Sequence, residues 1–226
     1  MMRSAPHSME CEIKLTLATA EDYQHLREQL PNRVGELEQH NLFFDTPDRL
    51  LAAGHWTLRL RREVPESGDP TCLVTVKGPS SIIAGAVRRT EVEGPVDCAL
   101  WERAQTRDLE CRELAGPPMA FLARELDLRG PLRRILGFAN RRTVFGLSLA
   151  DAPRQLLLDR TVFEGGQVDH ELELELDAPT SEDAVALLEI AAVTLTLRRL
   201  LEGLGVTAEP ARSGKYSRAL SYAARG

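Results

Sequence analysis

His170-Glu171-Leu172-Glu173-Leu174-Glu175-Leu176 alternates carboxylate and leucine at every step from Glu171 onward. Successive side chains of a β-strand point to opposite faces, so this stretch aligns three carboxylates against three leucines. Working outward, the same period returns elsewhere. Glu10, Glu12 and Lys14 oppose Met9, Cys11, Ile13 and Leu15. Arg59 and Arg61 oppose Leu58 and Leu60. Thr75 aligns with Lys77, and Arg89, Glu91 and Glu93 share a face. Eight strands are predicted: 9–17, 36–45, 56–63, 71–77, 86–94, 138–149, 155–164 and 168–177.

Turn residues separate several of them, at Glu66-Ser67-Gly68-Asp69-Pro70, Gly78-Pro79-Ser80-Ser81 and Gly165-Gly166, the last a hairpin signal. Residues 78–85 read as a mobile loop. Four helices fill the gaps. Thr19 caps the first, with Glu21 and Asp22 in its first turn and Pro31 as its stop. The second is expected over 98–114 and the third over 119–128. The fourth is expected over 181–204, capped between Asp177 and Ser181, with Val185, Leu188, Ile190, Ala192, Leu195 and Leu201 as its buried stripe.

The charged faces are unusual for a half-solvated sheet. Such faces normally mix Lys, Glu, Thr, Ser and Gln, whereas these are wholly charged and sorted by strand into acidic and basic. Like charges in a row repel, and a metal ion is the natural counter-charge for the carboxylates. Eight strands can close into a barrel, which removes sheet edges. With the charged face inward, the interior becomes a polar tunnel and the amphipathic helices cover the apolar outside. The fold class is therefore α+β and mainly antiparallel: a closed eight-stranded barrel with helices outside.

The chain has 226 residues and a formal net charge of −6. That balance provides no global basic field for nucleic acid or an anionic membrane. No run approaches the length of a membrane span. Residues 1–8 read as a disordered leader and 9–226 as one domain. Cys11, Cys72, Cys98 and Cys111 form no CxxC pair, so all four read as reduced thiols in a cytoplasmic protein.

In order along the chain, these motifs resemble the CYTH superfamily, the triphosphate tunnel metalloenzymes. Glu10-Cys11-Glu12-Ile13-Lys14 resembles its ExExK signature, and Phe43-Phe44-Asp45-Thr46-Pro47-Asp48 its YFDTPD segment. Arg59-Leu60-Arg61, Lys77, Arg89-Thr90-Glu91-Val92-Glu93, Asp159 and Glu171-Leu172-Glu173-Leu174-Glu175 resemble its later strands. Arg142 matches an arginine that precedes an aromatic, here Phe145, and Lys215-Tyr216 resembles the C-terminal lysine motif. Two departures are Gly214, where a serine often stands, and the adjacent pair Arg141-Arg142, of which one can face inward.

The resemblance implies hydrolysis of a small-molecule triphosphate with Mg²⁺ or Mn²⁺. It implies catalytic roles for Glu10, Glu12, Lys14, Glu173 and Lys215. Substrate would be bound by Lys14, Arg59, Arg61, Lys77, Arg89, Glu91, Arg142 and Lys215, and metal by Glu10, Glu12, Asp159, Glu171, Glu173 and Glu175. The chemistry agrees with these residue types: arginine forks grip phosphate oxygens and lysines add point charge, while hard cations take carboxylate oxygens. Inorganic triphosphate is the expected substrate; a class IV-type adenylate cyclase or a thiamine triphosphatase is the alternative within the family. A non-catalytic polyphosphate- or nucleotide-binding module is the alternative of another class. The expected state is monomer or homodimer, without nucleic acid or membrane partners.

Overall fold

A computed structural model of the chain describes residues 8–177 and 184–225. The expected leader up to His7, and the part of the fourth helix's cap region at 178–181, lie outside the described residues.

The principal strands are β1 (Ser8–Leu17), β2 (Arg33–Asp45), β3 (Thr57–Pro65), β4 (Thr71–Ile83) and β5 (Ala86–Pro95). After a two-residue β6 (Leu109–Glu110) come β7 (Pro131–Leu149), β8 (Ala152–Phe163), β9 (Val168–Leu176) and the short β10 (Ala208–Pro210). The neighbours run β1-β5-β4-β3-β2-β7-β8-β9, and β9 pairs with β1. The sheet is thus a closed eight-stranded antiparallel barrel, with β10 added beside β1 and β6 beside β7. The helices α1 (Ala20–Gln29), α2 (Leu50–Ala53), α3 (Cys98–Ala104), α4 (Pro117–Glu125), α5 (Ala184–Gly203) and α6 (Lys215–Ala223) pack outside it.

The described chain divides into two compact units. The first comprises residues 8–9, 38–80 and 89–139. Its core joins the even-numbered face of β3 and β4 (Leu58, Leu60, Val74, Val76) to Leu100 and Trp101 of α3 and Leu122 of α4. The second comprises residues 10–37, 81–88, 140–177 and 184–225. There Ile13, Leu15, Leu158, Leu172 and Leu174 pack with Leu26 of α1 and Val193 and Leu197 of α5. Each such buried leucine contributes about 2 kcal/mol. In both units the apolar strand face is the one the helices cover, so the charged face is the other one.

Several expectations change where tertiary contacts decide. The loop expected at 78–85 is instead the end of β4 and a tight turn, in which Ala84 and Gly85 both have positive φ. Two consecutive positive φ values match the right-handed twist of a hairpin, and Gly85 adopts one without a Cβ penalty. The helix expected over 98–114 stops at Ala104. Beyond it Leu109 pairs with Leu132, and Glu110 and Glu113 cap a 3₁₀ turn over Cys111–Glu113. The third helix begins earlier, with Pro117 in its first turn.

The stripe expected on the fourth helix is largely wrong. Ile190, Val193, Leu197 and Leu201 are buried, while Val185, Leu188 and Leu195 are exposed. The helix carries two apolar stripes, and the barrel wall covers one.

The reduced-thiol expectation fails for two of the four cysteines. Cys72 at the start of β4 and Cys98 at the start of α3 form a disulfide, their Cα atoms 5.2 Å apart. Their 26-residue separation concealed that neighbourhood in the sequence. Cys11 and Cys111 are free. No helix among the described residues is long and apolar enough to cross a membrane.

Alkylation in denaturant without reductant is expected to label Cys11 and Cys111 only, and all four cysteines after reduction; mass spectrometry of the peptides reads the difference. Reduction is expected to lower stability by about 3 kcal/mol, measured by chemical denaturation.

Candidate active site

In the second unit a knot of charge lies on the face of β1, β7, β8 and β9 opposite their apolar core. Strand pairing sets Lys14 across from Glu173, Thr16 across from Glu171 and Glu12 across from Glu175; Asp159 stands across from Glu171. Lys14 Nζ lies 2.8 Å from Glu173 and 3.0 Å from Glu12. Arg142 grips Asp159 with two arms: Nε donates to Oδ1 at 2.8 Å and Nη2 to Oδ2 at 2.7 Å. Nη2 also donates to Glu173. Lys215, the first residue of α6, lies 2.9 Å from Asp159 and 2.7 Å from both Glu171 and Glu173. Asp159 and Glu171 are 0% and 1% exposed. Glu10 is half-buried and Glu175 exposed, nearer the ends of the same strands.

The first unit holds a second group. Arg59 Nη2 donates to Thr75 Oγ1 at 3.0 Å, and that hydroxyl donates to Glu93 at 2.7 Å. Arg59 also lies 3.8 Å from Glu91, which is 3.1 Å from Lys77. Arg61 is held apart from these. Its Nε donates to Asn41 Oδ1 at 3.0 Å and its Nη1 to Glu63 at 3.1 Å. Gln39 donates to the same Glu63 oxygen at 2.7 Å. Arg89 is half-buried on the face of Glu91 and Glu93.

The profile of the CYTH domain matches residues 8–207. The chain belongs to the CYTH domain family. Solved structures share its fold. A candidate adenylyl cyclase from Hippeastrum, described as having a dominant triphosphatase activity, is 24% identical with a TM-score of 0.74, covering 94% of this chain and 95% of that one. A candidate adenylate cyclase from Bacillus halodurans is 22% identical with a TM-score of 0.64, covering 95% and 98%. A Pyrococcus horikoshii protein is 19% identical with a TM-score of 0.58, covering 93% and 98%. No curated protein matches the chain.

In this CYTH domain the buried ions set one another's charge. Burial pushes the Asp159 carboxyl up, but Arg142 and Lys215 outweigh it and hold the group at about 2. Burial likewise opposes ionisation of Glu173, and Lys14, Lys215 and Arg142 together hold it well below the usual carboxylate range. Glu171 is lowered by Lys215 and Arg218 against burial and its neighbour Glu173. Burial disfavours the Lys14 and Lys215 ammonium groups, yet the surrounding carboxylates raise both above an ordinary lysine. The cluster is therefore fully ionised at neutral pH. The counter-charge that the acidic row requires is supplied first by the protein's own cations.

The donor chemistry also fits a hard divalent cation. Glu171 Oε2 meets Lys215 and Arg218 as close ion pairs. Both Glu171 oxygens are buried without an aligned hydrogen-bond donor, so Oε2 is met through charge alone. Among the described residues no three carboxylate, imidazole or thiol groups converge as a ready-made cage. Magnesium commonly takes one or two carboxylates and completes its shell with water and substrate phosphates. One or two of the Glu10, Glu12 and Glu171 carboxylates suit a cation whose shell is completed by water or by phosphate oxygens.

Some members of the site were not recognisable in the sequence. Arg218 lies 2.8 Å from Glu171 and 2.6 Å from Asp169. Its only sequence signal is its i,i+3 spacing from Lys215. Asn41 and Gln39 are buried polar residues that orient Arg61 and Glu63. On a strand of mixed composition nothing in the sequence set them apart.

Asp159 ties this cluster to acid stability. Its folded pKa lies below its unfolded value, so its contribution is present above about pH 4 and is lost as pH falls toward 2. Thermal midpoints of the wild type are expected to fall by several degrees over that window. Asp159→Asn is expected to be less stable at neutral pH, because Arg142 and Lys215 lose a partner, and to show a shallower acid decline.

Proposed function

We propose that this protein hydrolyses a triphosphate, with inorganic triphosphate the substrate that best suits the site. The observation that carries this reading is the buried cluster of Lys14, Arg142, Asp159, Glu171, Glu173 and Lys215, fully charged and closely paired. A buried ion network contributes little to stability compared with well-packed hydrocarbon. Its retention favours a polyionic ligand that exchanges partners with it.

A triphosphate offers oxygens to every cation in the set. Lys14, Arg142 and Lys215 would transfer part of their pairing from carboxylates to phosphates. In the first unit Arg59, Arg61, Lys77 and Arg89 are likewise suited to phosphate oxygens, with arginine forks supplying direction and lysine supplying charge. Thr75, Asn41, Glu63 and Glu91 hold those cations in place beforehand, which lowers the ordering cost of binding. Glu10 and Glu12, with Glu171, would hold Mg²⁺ or Mn²⁺. When bound, that ion would neutralise phosphate charge and lower the pKa of coordinated water.

The reaction places a water oxygen on the terminal phosphorus and breaks that phosphorus' bond to the bridging oxygen. Diphosphate leaves and phosphate is released. Glu173, held strongly ionised, suits the role of a hydrogen-bond acceptor that orients water better than that of a proton store. Lys215 and Arg142 stabilise charge gathering on the leaving oxygen, and positioning together with charge neutralisation supplies most of the catalysis in phosphoryl transfer.

A panel of inorganic triphosphate, ATP and thiamine triphosphate, each with Mg²⁺ and with Mn²⁺, tests this. The highest kcat/KM is expected for inorganic triphosphate, with diphosphate and phosphate as products. Cyclic AMP from ATP would transfer the assignment to a cyclase, and tight binding without turnover would make the protein a binding module. The double variant Glu10→Gln, Glu12→Gln is expected to lose about 100-fold or more in kcat with an unchanged circular dichroism spectrum. Wild-type turnover in that variant would overturn the metal assignment.

A further inference from the structure

The acidic row on β9 extends one residue beyond the cluster, to Asp169, and α6 meets it along its whole length. Lys215, Arg218 and Tyr222 stand at i, i+3 and i+7, one face of a helix. Asp169, Glu171 and Glu173 stand at i, i+2 and i+4, one face of a strand. Seven helical residues rise about 10 Å and four strand residues about 13 Å, so the two rows run in step. Lys215 pairs with Glu173 and Glu171, Arg218 with Glu171 and Asp169, and the Tyr222 hydroxyl donates to Asp169 at 3.0 Å. The Tyr222 ring also packs edge-on against Phe163, with centroids 5.0 Å apart.

Arg218 is the hinge pin of this contact. Each nitrogen of its guanidinium has a different partner. Nε lies 2.6 Å from Asp169 Oδ2 and Nη2 lies 2.8 Å from Glu171 Oε2, both as ion pairs without aligned hydrogen bonds, and Nη1 donates to the carbonyl of Ser213 in the turn that enters α6. A planar fork can hold three directions at once; an ammonium on a flexible stem cannot.

We propose that Arg218 is a positioning residue: it latches α6 onto β9, which fixes Lys215 among Asp159, Glu171 and Glu173, and together with Lys215 it engages Glu171 Oε2, which leaves Oε1 to face a divalent cation. This rests on reading the cluster as a site for a metal-bound triphosphate. Arg218 itself touches neither phosphate nor metal. It sets how much negative charge Glu171 offers and where the Lys215 ammonium stands.

The test measures Mn²⁺ binding by electron paramagnetic resonance on the full chain without substrate, and hydrogen exchange over residues 215–223. Removing a cation a few ångströms from a metal-binding carboxylate is expected to tighten Mn²⁺ binding in Arg218→Gln by about five- to tenfold, and exchange in α6 rises. A purely structural role would leave the affinity unchanged or weaken it. Arg218→Lys keeps the charge but not the fork, so Mn²⁺ affinity returns toward wild type while α6 exchange stays raised. Tyr222→Phe raises exchange and leaves Mn²⁺ affinity unchanged. Unchanged or weaker Mn²⁺ binding in a natively folded Arg218→Gln overturns the proposal, as does wild-type α6 exchange in Arg218→Lys. Both readouts are independent of turnover. A wild type inactive on every triphosphate would defeat the functional reading and leave the latch standing.

Discussion

Full charges placed away from water must find opposite charges, and that requirement organises the second unit of this protein. Asp159, Glu171 and Glu173 are each buried, and an isolated buried carboxylate would simply take up a proton. Here they remain ionised because Lys14 from β1, Arg142 from β7 and Lys215 from α6 meet on them. Elements distant in sequence are thereby tied to a single electrostatic minimum. Loss of any one cation leaves the carboxylates it met short of a partner, which makes the network costly to break.

The same strands serve two purposes because their period is two. Along β9 the leucines at 172 and 174 join the core beneath α1 and α5, while the glutamates at 171 and 173 face the opposite way into the ion cluster. A one-residue slip would bury the glutamates against helices and strand the leucines among ions, so register is strongly specified. The pairing of Lys14 with Glu173 and of Leu15 with Leu172 expresses both demands at once.

The first unit shows a milder form of the same logic. Arg59 and Arg61 share one face of β3, yet they are held by different partners, one by Thr75 and the other by Asn41 and Glu63. The Thr75 hydroxyl and the Asn41 amide orient these arginines, while Glu91 and Glu93 near Arg59 and Glu63 beside Arg61 balance their charge. Structural support comes from the far side of the sheet, where Cys72 and Cys98 join β4 to α3.

The sequence by itself determined the strands, their faces and the identity of most charged groups, because alternation at period two is a local property written residue by residue. It predicted the closed barrel, since strands with one wholly charged face need an interior to line. It also marked Glu12, Lys14, Arg142, Asp159, Glu173 and Lys215, although Lys215 lay past the last helix that could be recognised. Only the tertiary structure decided which cation meets which anion, and that Arg218, Asp169 and Tyr222 extend the cluster through α6. It decided which apolar stripe of α5 is buried, where the helix after Cys98 ends, and that two of the four cysteines are joined. These depend on what the chain meets across space, and a pairing energy between residues dozens of positions apart leaves no periodic trace in either one.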